Sequence, residues 1–476
     1  MNNQSNKVKI IGTIGPASDS EEVMQQLLLS GMNIARLNFS HGDFATHQEN
    51  ILKLRRVAEK TGKRLAIMAD LPGPKMRIGE IPQGPVDLQI GDRLTLTTKD
   101  IAGDAGRVSV SLKELPKIVS VNDKLFLNDG LISLKVDAIE DTEVHCEVRA
   151  GGELSSRKGL NLPGIDLGFG AFTKHDRECL EFALQAGVDA VSQSFVAHGK
   201  DIEDLLAAAN EFGRRPFVIA KIERLEALDN LDSILDVSDG LMVARGDLGV
   251  EIPISRMAVV QKELMDKANQ LGKPVITATQ MLESMTEHRR PTRAEATDVA
   301  NAILDGTDVV MLSAESAMGR YPVEAVKMLV EIAVDTEPSR NLIIREERMR
   351  RNHDVQPTDL IAHCVQQAVV KLNPVAVMVP TRSGASARNI TRYRLPVWIN
   401  AFSTDETTCQ ALQFSYGVQP IKVENDLRDW GPFICHWLHQ QGFDSGRAVL
   451  TQGPSPENPG ASYNLQIADI SSCRIE

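Results

Sequence analysis

The chain has 476 residues, 42% of them apolar and 24% charged, with a formal net charge of −12. That length exceeds one ordinary domain and suits about three. The acidic balance and 4% aromatic content exclude nucleic acid as the expected partner, because the surface repels phosphate backbones and offers few stacking rings.

In chain order, Met1–Lys9 is polar and lacks the apolar core of a secretion signal. No apolar run of ~18 residues follows, so no membrane span is expected. Strand patterns at Lys7–Ile14, Met32–Phe39 and Leu65–Leu71 alternate with helical patterns at about 20–29 and 45–60. From Pro72 to Asp166 the rhythm changes to short alternating runs between Gly, Asp and Asn turns, the pattern of a small antiparallel β domain. Strand–helix alternation resumes near Thr173, with strands expected at Ala190–Phe195, Phe217–Ile222, Gly240–Ala244, Pro274–Ala278 and Val309–Leu312. Without the β insert this makes eight strand–helix units, which predicts a TIM (β/α)8 barrel. An Arg-rich helix is expected at Asn341–Arg351. A C-terminal α/β domain follows, with strands at Val375–Val379, Val397–Asn400, Ile421–Val423 and Ala448–Thr451. The expected domains are therefore 1–71 plus 167–340 (barrel), 72–166 (β-rich lid) and 341–476 (C-terminal). Six cysteines lie far apart without a C-x-x-C pair, suggesting neither a zinc cage nor a disulfide framework, and a reducing, cytoplasmic setting.

A TIM barrel carries its active site at the C-terminal ends of its strands. Those ends bear Arg36, Asn38, Ser40 and His41, then Asp70, Ser194, Lys221 with Glu223, Arg245-Gly246-Asp247, Thr279, and Ser313 with Glu315. Carboxylates, cations and hydroxyls in succession make an ionic site. Glu223 and Asp247 suit Mg²⁺, which takes one or two carboxylates and leaves its other positions to water and substrate oxygens. Arg36, Lys221 and Thr279 suit a phosphate and a carboxylate. Lys221 and Glu223 are two apart on a strand and share a face. Each feature also has a plain structural reading: Lys221–Glu223 as an interior ion pair, Arg245-Gly-Asp247 as a polar turn, Asn38 and Ser40 as a helix cap.

Gly31-Met-Asn-Ile-Ala-Arg-Leu-Asn-Phe-Ser-His-Gly42, Ala220-Lys-Ile-Glu223, Asp239-Gly-Leu-Met-Val-Ala-Arg-Gly-Asp-Leu-Gly-Val-Glu251, Ala278-Thr-Gln-Met-Leu-Glu-Ser284 and Pro291-Thr-Arg-Ala-Glu295 resemble the signatures of the pyruvate kinase family. Asn128-Asp-Gly-Leu-Ile132 and Arg157-Lys-Gly-Leu-Asn-Leu-Pro163 resemble its β-domain segments. The resemblance covers nearly the whole chain and loosens in the C-terminal third. It implies Mg²⁺-dependent transfer of a phosphoryl group from phosphoenolpyruvate to ADP, with Mn²⁺ an acceptable substitute. It implies that Lys221 stabilises the transferring group, Arg36 holds the phosphate, and Glu223 and Asp247 bind the metal. Lys221, Gly246, Asp247 and Thr279 would contact phosphoenolpyruvate, and Asn38, Ser40, His41, Arg77 and Lys158 the nucleotide. Thr279, through water, would take part in protonating the enolate. A homotetramer is implied as well.

Two departures stand out. Where much of the family reads T-K-G-P-E and requires K⁺, this chain reads Leu71-Pro-Gly-Pro-Lys75; a subgroup with such a Lys works without K⁺. The monovalent-cation region, Asn38, Ser40, Asp70, Leu71 and Lys75, is thus expected not to need K⁺. Where the family has S-F-x-R, Ser194-Phe-Val-Ala197 lacks the Arg. Pro72-Gly73-Pro74 resembles a lid hinge, and Asp129 would reach the site when the lid closes or form a plain hairpin turn. In the last domain Thr381, Ser383, Gly384 and Ser386 suit the phosphate of an allosteric effector, or a simple helix cap. The loop Gly453–Gly460 departs from the form usual in the fructose-bisphosphate-activated group. Two other readings stand beside this one: a Mg²⁺-dependent pyruvate or phosphoenolpyruvate lyase on a related barrel, and a non-catalytic metabolite sensor.

Overall fold

The computed structural model describes residues 6–340, 356–454, 460 and 462–472. Eight parallel strands close a barrel in the ring order Lys9–Thr13, Val309–Leu312, Val275–Ala278, Gly240–Ala244, Phe217–Ile222, Ala190–Gln193, Ala66–Leu71, Ile34–Asn38. Below, these are the first to eighth barrel strands in chain order.

Strand periodicity divides each barrel strand between two cores. On the fifth strand Phe217 and Ile219 point inward, with Ile11, Ile34, Met68, Met242 and Ile276. Val218, Ala220 and Ile222 point outward into the layer beneath the helices. The same parity turns Lys221 and Glu223 inward above the apolar plug. It does so for Arg36 above Ile34, for Asp70 above Met68, and for Ser192 and Ser194 above Ala190. Leu71, one residue on, belongs to the outer layer. At the opposite end Phe414 of the C-terminal domain closes the barrel floor, its ring 5.2 Å from that of Phe217. Helix entries follow local chemistry: Thr173 with Asp176, and Thr292 with Glu295, form reciprocal capping boxes.

Between the third barrel strand and the helix Lys174–Gln185 sits a β domain with its own core. It holds a two-stranded sheet and a six-stranded sheet, antiparallel except where Arg93–Thr97 pairs parallel with Arg107–Ser109. Both of its connections are pinned by buried carboxylates. The Gly73 N–H donates to Asp176 Oδ1 at 2.8 Å and the Ala171 N–H to Asp201 Oδ1 at 2.7 Å.

The C-terminal sheet runs Val418–Lys422, Ile399–Ser403, Ala376–Pro380, Arg447–Gln452, Asn464–Asp469. Sequence reading placed its third strand at Ile421–Val423, late because Pro420 interrupts the apolar run of an edge strand. It missed Asn464–Asp469, which pairs antiparallel at the other edge and is largely exposed, so no apolar alternation marks it. The expected helix Asn341–Arg351 and most of the Gly453–Gly460 loop lie outside the described residues. Cys435 is disulfide-bonded, while Cys146, Cys179, Cys364 and Cys409 are free. Among the described residues one bonded cysteine makes no framework, and residue spacing gives no sign of it. Among the described residues no helix is long and apolar enough to cross a membrane.

Candidate active site

The barrel mouth opens into a cavity of about 110 Å³ lined by Arg36, Asn38, Ser40, His41, Asp70, Lys75, Lys221, Glu223, Asp247 and Thr279. Ten of the expected site residues therefore converge. Gly246 adjoins them through its N–H, which donates to Thr279 Oγ1 at 2.8 Å. Leu71 is absent from the lining: its side chain packs outward, and its carbonyl accepts a 2.7 Å hydrogen bond from Ser194 Oγ.

Lys221 is buried at the centre. Its ammonium lies 2.8 Å from Glu223 Oε1 and donates to Ser194 Oγ at 2.6 Å. Asp70 is farther, at 3.3 Å and 3.4 Å from its two oxygens. Burial works to lower the Lys221 pKa, but the Asp70 and Glu223 carboxylates outweigh it and the net shift is upward, so the group stays charged. Asp70 moves the other way. Burial would raise it, yet Lys221, Arg36 and the Ser192 hydroxyl hold it at about 2. Arg36 donates to Asp70 Oδ2 through Nε at 3.0 Å and to Thr13 Oγ1 through Nη1 at 3.0 Å.

Glu223 is raised, first by burial and then by the like charge of Asp247, with Lys221 and the Phe195 N–H opposing. The Phe195 N–H donates to Glu223 Oε2 at 2.7 Å. Two carboxylates close enough to repel, on hard oxygen donors, facing a polar cavity, fit a divalent cation such as Mg²⁺. Among the described residues no set of three or more His, Cys, Asp or Glu forms a cage. A metal here would keep most of its positions for water and substrate.

Arg245-Gly246-Asp247, for which a polar turn is the plain structural alternative, opens a short helix, Arg245–Glu251. Arg245 was not singled out as a site residue, yet it braces the seventh-strand turn. Its guanidinium pairs with Asp298 at 2.5 Å and donates to the Thr279 carbonyl at 2.8 Å. That turn is strained: Thr279 and Gln280 have φ of 66° and 53°. Phe195 shares this backbone region at φ 59°. Such conformations cost about 1–3 kcal/mol each in non-glycine residues and persist where surroundings impose them, characteristically at sites of function. Glu315 is a bracket, accepting from the Leu282 and Ser313 N–H groups.

Asn38 accepts from the Ser40 N–H at 3.2 Å in a tight turn, the next helix, Phe44–Thr61, is capped by Asp43 instead, and Asn38 and Ser40 both line the cavity. His41 is lowered by burial first, then by the charges of Arg77, Lys75 and Arg36. This side of the mouth is cationic. Lys75 is exposed and is not among the groups bonded to Asp70. Arg77 and Lys158 stand on the β domain outside the cavity lining. Arg77 pairs with Gly159 in an antiparallel bridge and donates to the Arg157 carbonyl at 2.9 Å. Asn128, Asp129 and Gly130 form a left-handed turn, and Gly130 faces Val250 of the Arg245–Glu251 helix.

In the C-terminal domain the Gly384 N–H donates to Thr381 Oγ1 at 3.0 Å. Ser383 is exposed and Ser386 half-buried. The helix they open, Ala385–Thr391, has 7 residues. Arg388, unmarked in the sequence reading, returns to this loop: Nη2 donates to the Ser383 carbonyl at 2.7 Å, and Nη1 is buried beside Gly384 without a hydrogen-bond partner.

A family model described as the pyruvate kinase barrel domain matches residues 5–326, and one for the pyruvate kinase alpha/beta domain matches 359–468. The chain is 46% identical over 430 residues to a pyruvate kinase of Thermococcus litoralis, covering 89% of this chain and 90% of that one. It is 42% identical over 417 residues to a pyruvate kinase of Clostridium acetobutylicum, covering 87% and 88%. Against a pyruvate kinase of Geobacillus stearothermophilus it is 43% identical over 419 residues, covering 87% of this chain and 71% of the relative.

Proposed function

This chain belongs to the pyruvate kinase family and is a phosphotransferase acting between phosphoenolpyruvate and ADP, and we propose that the barrel-mouth cavity is where the transfer occurs. The observation that carries this reading is the junction of Arg36, Asp70, Lys221 and Glu223 in one buried ionic cluster facing that cavity. Phosphoryl transfer relies on positioning and on cations that neutralise charge as it develops. Lys221, kept protonated by its carboxylates, supplies such a charge at the transferring group, and Arg36 holds the phosphate from the opposite side of Asp70. Gly246 and Asp247, by their backbone at the start of the Arg245–Glu251 helix, and Thr279 receive the carboxylate end, and the Thr279 hydroxyl, through water, takes part in protonating the enolate. The family generally uses Mg²⁺; here Glu223 and Asp247 would hold it, with Mn²⁺ as a substitute, and when bound it draws charge from the phosphoryl oxygens. Asn38, Ser40 and His41 face the nucleotide, and Arg77 and Lys158 join them when the β domain closes over the mouth and excludes water.

Three finer readings complete the proposal. Lys75 adds a fixed positive charge where a K⁺ would otherwise be needed. The Thr381–Ser386 loop, with the unpartnered Arg388 Nη1 beside it, takes the phosphate of an allosteric effector. The enzyme works in the cytoplasm as a homotetramer. The lyase alternative is not favoured, because both family models and the named relatives are pyruvate kinases. A coupled assay of pyruvate formation from phosphoenolpyruvate, with and without ADP and Mg²⁺, tests the reading. Turnover must need both; pyruvate release that ignores ADP would overturn it.

A further inference from the structure

Ser192 lies on the fourth barrel strand, Ala190–Gln193, where strand parity turns it into the barrel, and it is fully buried. Its hydroxyl donates to Asp70 Oδ1 at 2.6 Å. The other Asp70 oxygen, Oδ2, accepts from Arg36 Nε at 3.0 Å. Lys221 Nζ stands between the two, at 3.3 Å from Oδ1 and 3.4 Å from Oδ2. Those distances exceed its contacts to Ser194 Oγ at 2.6 Å and Glu223 Oε1 at 2.8 Å. Asp70 thus sits between both cations, and its grip on Lys221 is the looser of the two carboxylate contacts.

We propose that Ser192 is a positioning residue for phosphoryl transfer: by occupying Asp70 Oδ1 it keeps that carboxylate from drawing the Lys221 ammonium away from Glu223, Ser194 and the cavity. The physical reason is competition for donors. A buried carboxylate oxygen that loses a short hydrogen bond takes the nearest remaining donor. Here that donor is Lys221 Nζ, and a charge-assisted contact would tighten towards about 2.8 Å. The ammonium then leaves the point from which it meets a transferring group; a misplacement of about 1 Å can cost about 10²-fold in rate, and a shift of about half that is expected to cost about tenfold. Ser192 does not itself line the cavity, and its hydroxyl is spent on the lining residue Asp70, so it acts through Asp70.

This rests on the reading of Lys221 and Arg36 as the groups that face the transferred phosphoryl. The test compares Ser192→Ala, Ser192→Thr, Asp70→Asn, the Ser192→Ala/Asp70→Asn double variant and Lys221→Met, with melting temperatures as a check on folding. Ser192→Ala should lose about tenfold in kcat with KM for phosphoenolpyruvate changed less than about threefold, because the interaction is one of the transition state. Ser192→Thr, which restores the hydroxyl, should recover most of the loss. The Ser192→Ala and Asp70→Asn losses should not multiply, since both act on one link. Should Ser192→Ala fail to fold, Ser192→Cys, close in size and a weak donor, should show the same kcat loss. Normal kcat in the Ala or Cys variant, or losses that multiply in the double variant, would overturn the positioning role. If Lys221→Met turns over normally, the reading of the site itself fails; if that variant is inactive and Ser192→Ala normal, the role of Ser192 alone falls.

Discussion

Lys221 and Glu223, two residues apart on one barrel strand, are joined by a 2.8 Å ion pair at the mouth of the barrel, with both side chains buried. A buried pair of this kind contributes little net stability, because desolvation offsets the attraction. Its consequence here is functional: the ammonium is permanently charged and fixed in direction. Lys221→Met should reduce kcat by about 10²–10³ or more, the usual size of a lost charge-stabilising contact, with a smaller change in KM for phosphoenolpyruvate. Steady-state kinetics decide it. A variant within tenfold of the parent would remove Lys221 from the transfer step.

Gly73 ties the connection between barrel and β domain to the same cluster. Its φ is 64°, and a Cβ there would lie 3.0 Å from the Ser194 carbonyl and 3.1 Å from Ser194 Cβ. Ser194 in turn accepts from Lys221. Gly73→Ala therefore adds left-handed strain of about 1–2 kcal/mol and pushes on a Lys221 partner. The expected result is a lowered melting temperature together with a kcat loss. A pure stability loss with intact kcat would show that the hinge does not transmit to Ser194.

Glu251 gives a pH signature. It is mostly buried where the β domain returns to the barrel, hydrogen-bonded to the Leu225 and Gly164 N–H groups, and its pKa is raised from 4.5 to about 7. Burial is the main cause, Glu226 adds to it and Arg224 opposes it. A carboxyl raised on folding binds its proton more tightly in the native state. Its stabilising effect is full below the unfolded pKa and is lost as pH rises through about 7. Glu251→Gln should therefore match the parent near pH 4 to 5 and exceed it at pH 8, by the order of 3 kcal/mol. Denaturant unfolding at the two pH values tests this; a variant less stable than the parent at pH 8 would contradict it.

Barrel, insert and C-terminal α/β domain were legible because strand and helix periods differ and because the inward parity of each strand follows from residue spacing. Lys221, Glu223, Asp70 and Arg36 were legible as candidates because they fall in succession at the ends of barrel strands, although each alone also reads as a structural ion pair. Ser192 and Arg388 were not. A serine within an apolar strand reads as core, and an arginine on a short helix reads as surface, until the fold brings Asp70 and the Gly384 loop beside them. The helix Arg245–Glu251 was hidden by its two glycines, and the strain at Thr279 and Phe195 has no signature in residue type. The edge strand Asn464–Asp469 lacked a buried face to reveal it.

The Thr381–Ser386 loop yields a regulatory test. If it binds a phosphate, a phosphorylated metabolite should lower the half-saturating phosphoenolpyruvate concentration. Ser383→Ala/Ser386→Ala should abolish that response and leave activity without the metabolite unchanged. Arg388→Gln should weaken the response in parallel, since its unpartnered Nη1 faces the loop. A panel of sugar phosphates and nucleotides run on the three proteins decides it, and an unaltered response in the double variant removes this site.

The proposed role of Lys75 in place of K⁺ makes a prediction about the cation requirement. In the pattern common to K⁺-dependent members a Glu stands at this position, so the change to Lys alters local charge by two units. At ~4–6 Å with an effective dielectric near 20, each unit is worth roughly 3–4 kcal/mol before screening. Lys75 is exposed, so screening reduces that figure, yet it adjoins other cations. It lines the mouth cavity with Arg36 and His41, and the His41 pKa is lowered by burial and then by Arg77, Lys75 and Arg36. Asp70, which would otherwise attract a monovalent ion, already accepts from Arg36 and Ser192 and faces Lys221. A further cation therefore meets repulsion from several sides and a carboxylate already engaged. Activity should be comparable in Na⁺-, K⁺- and tetramethylammonium-based buffers of equal ionic strength. Lys75→Glu removes the fixed charge and offers a carboxylate, so it should lower activity without K⁺ and create at least partial stimulation by K⁺. Initial rates of both proteins across the three salts test the argument. An unmutated enzyme that needs K⁺ for most of its turnover would show that the ammonium does not stand in for the ion.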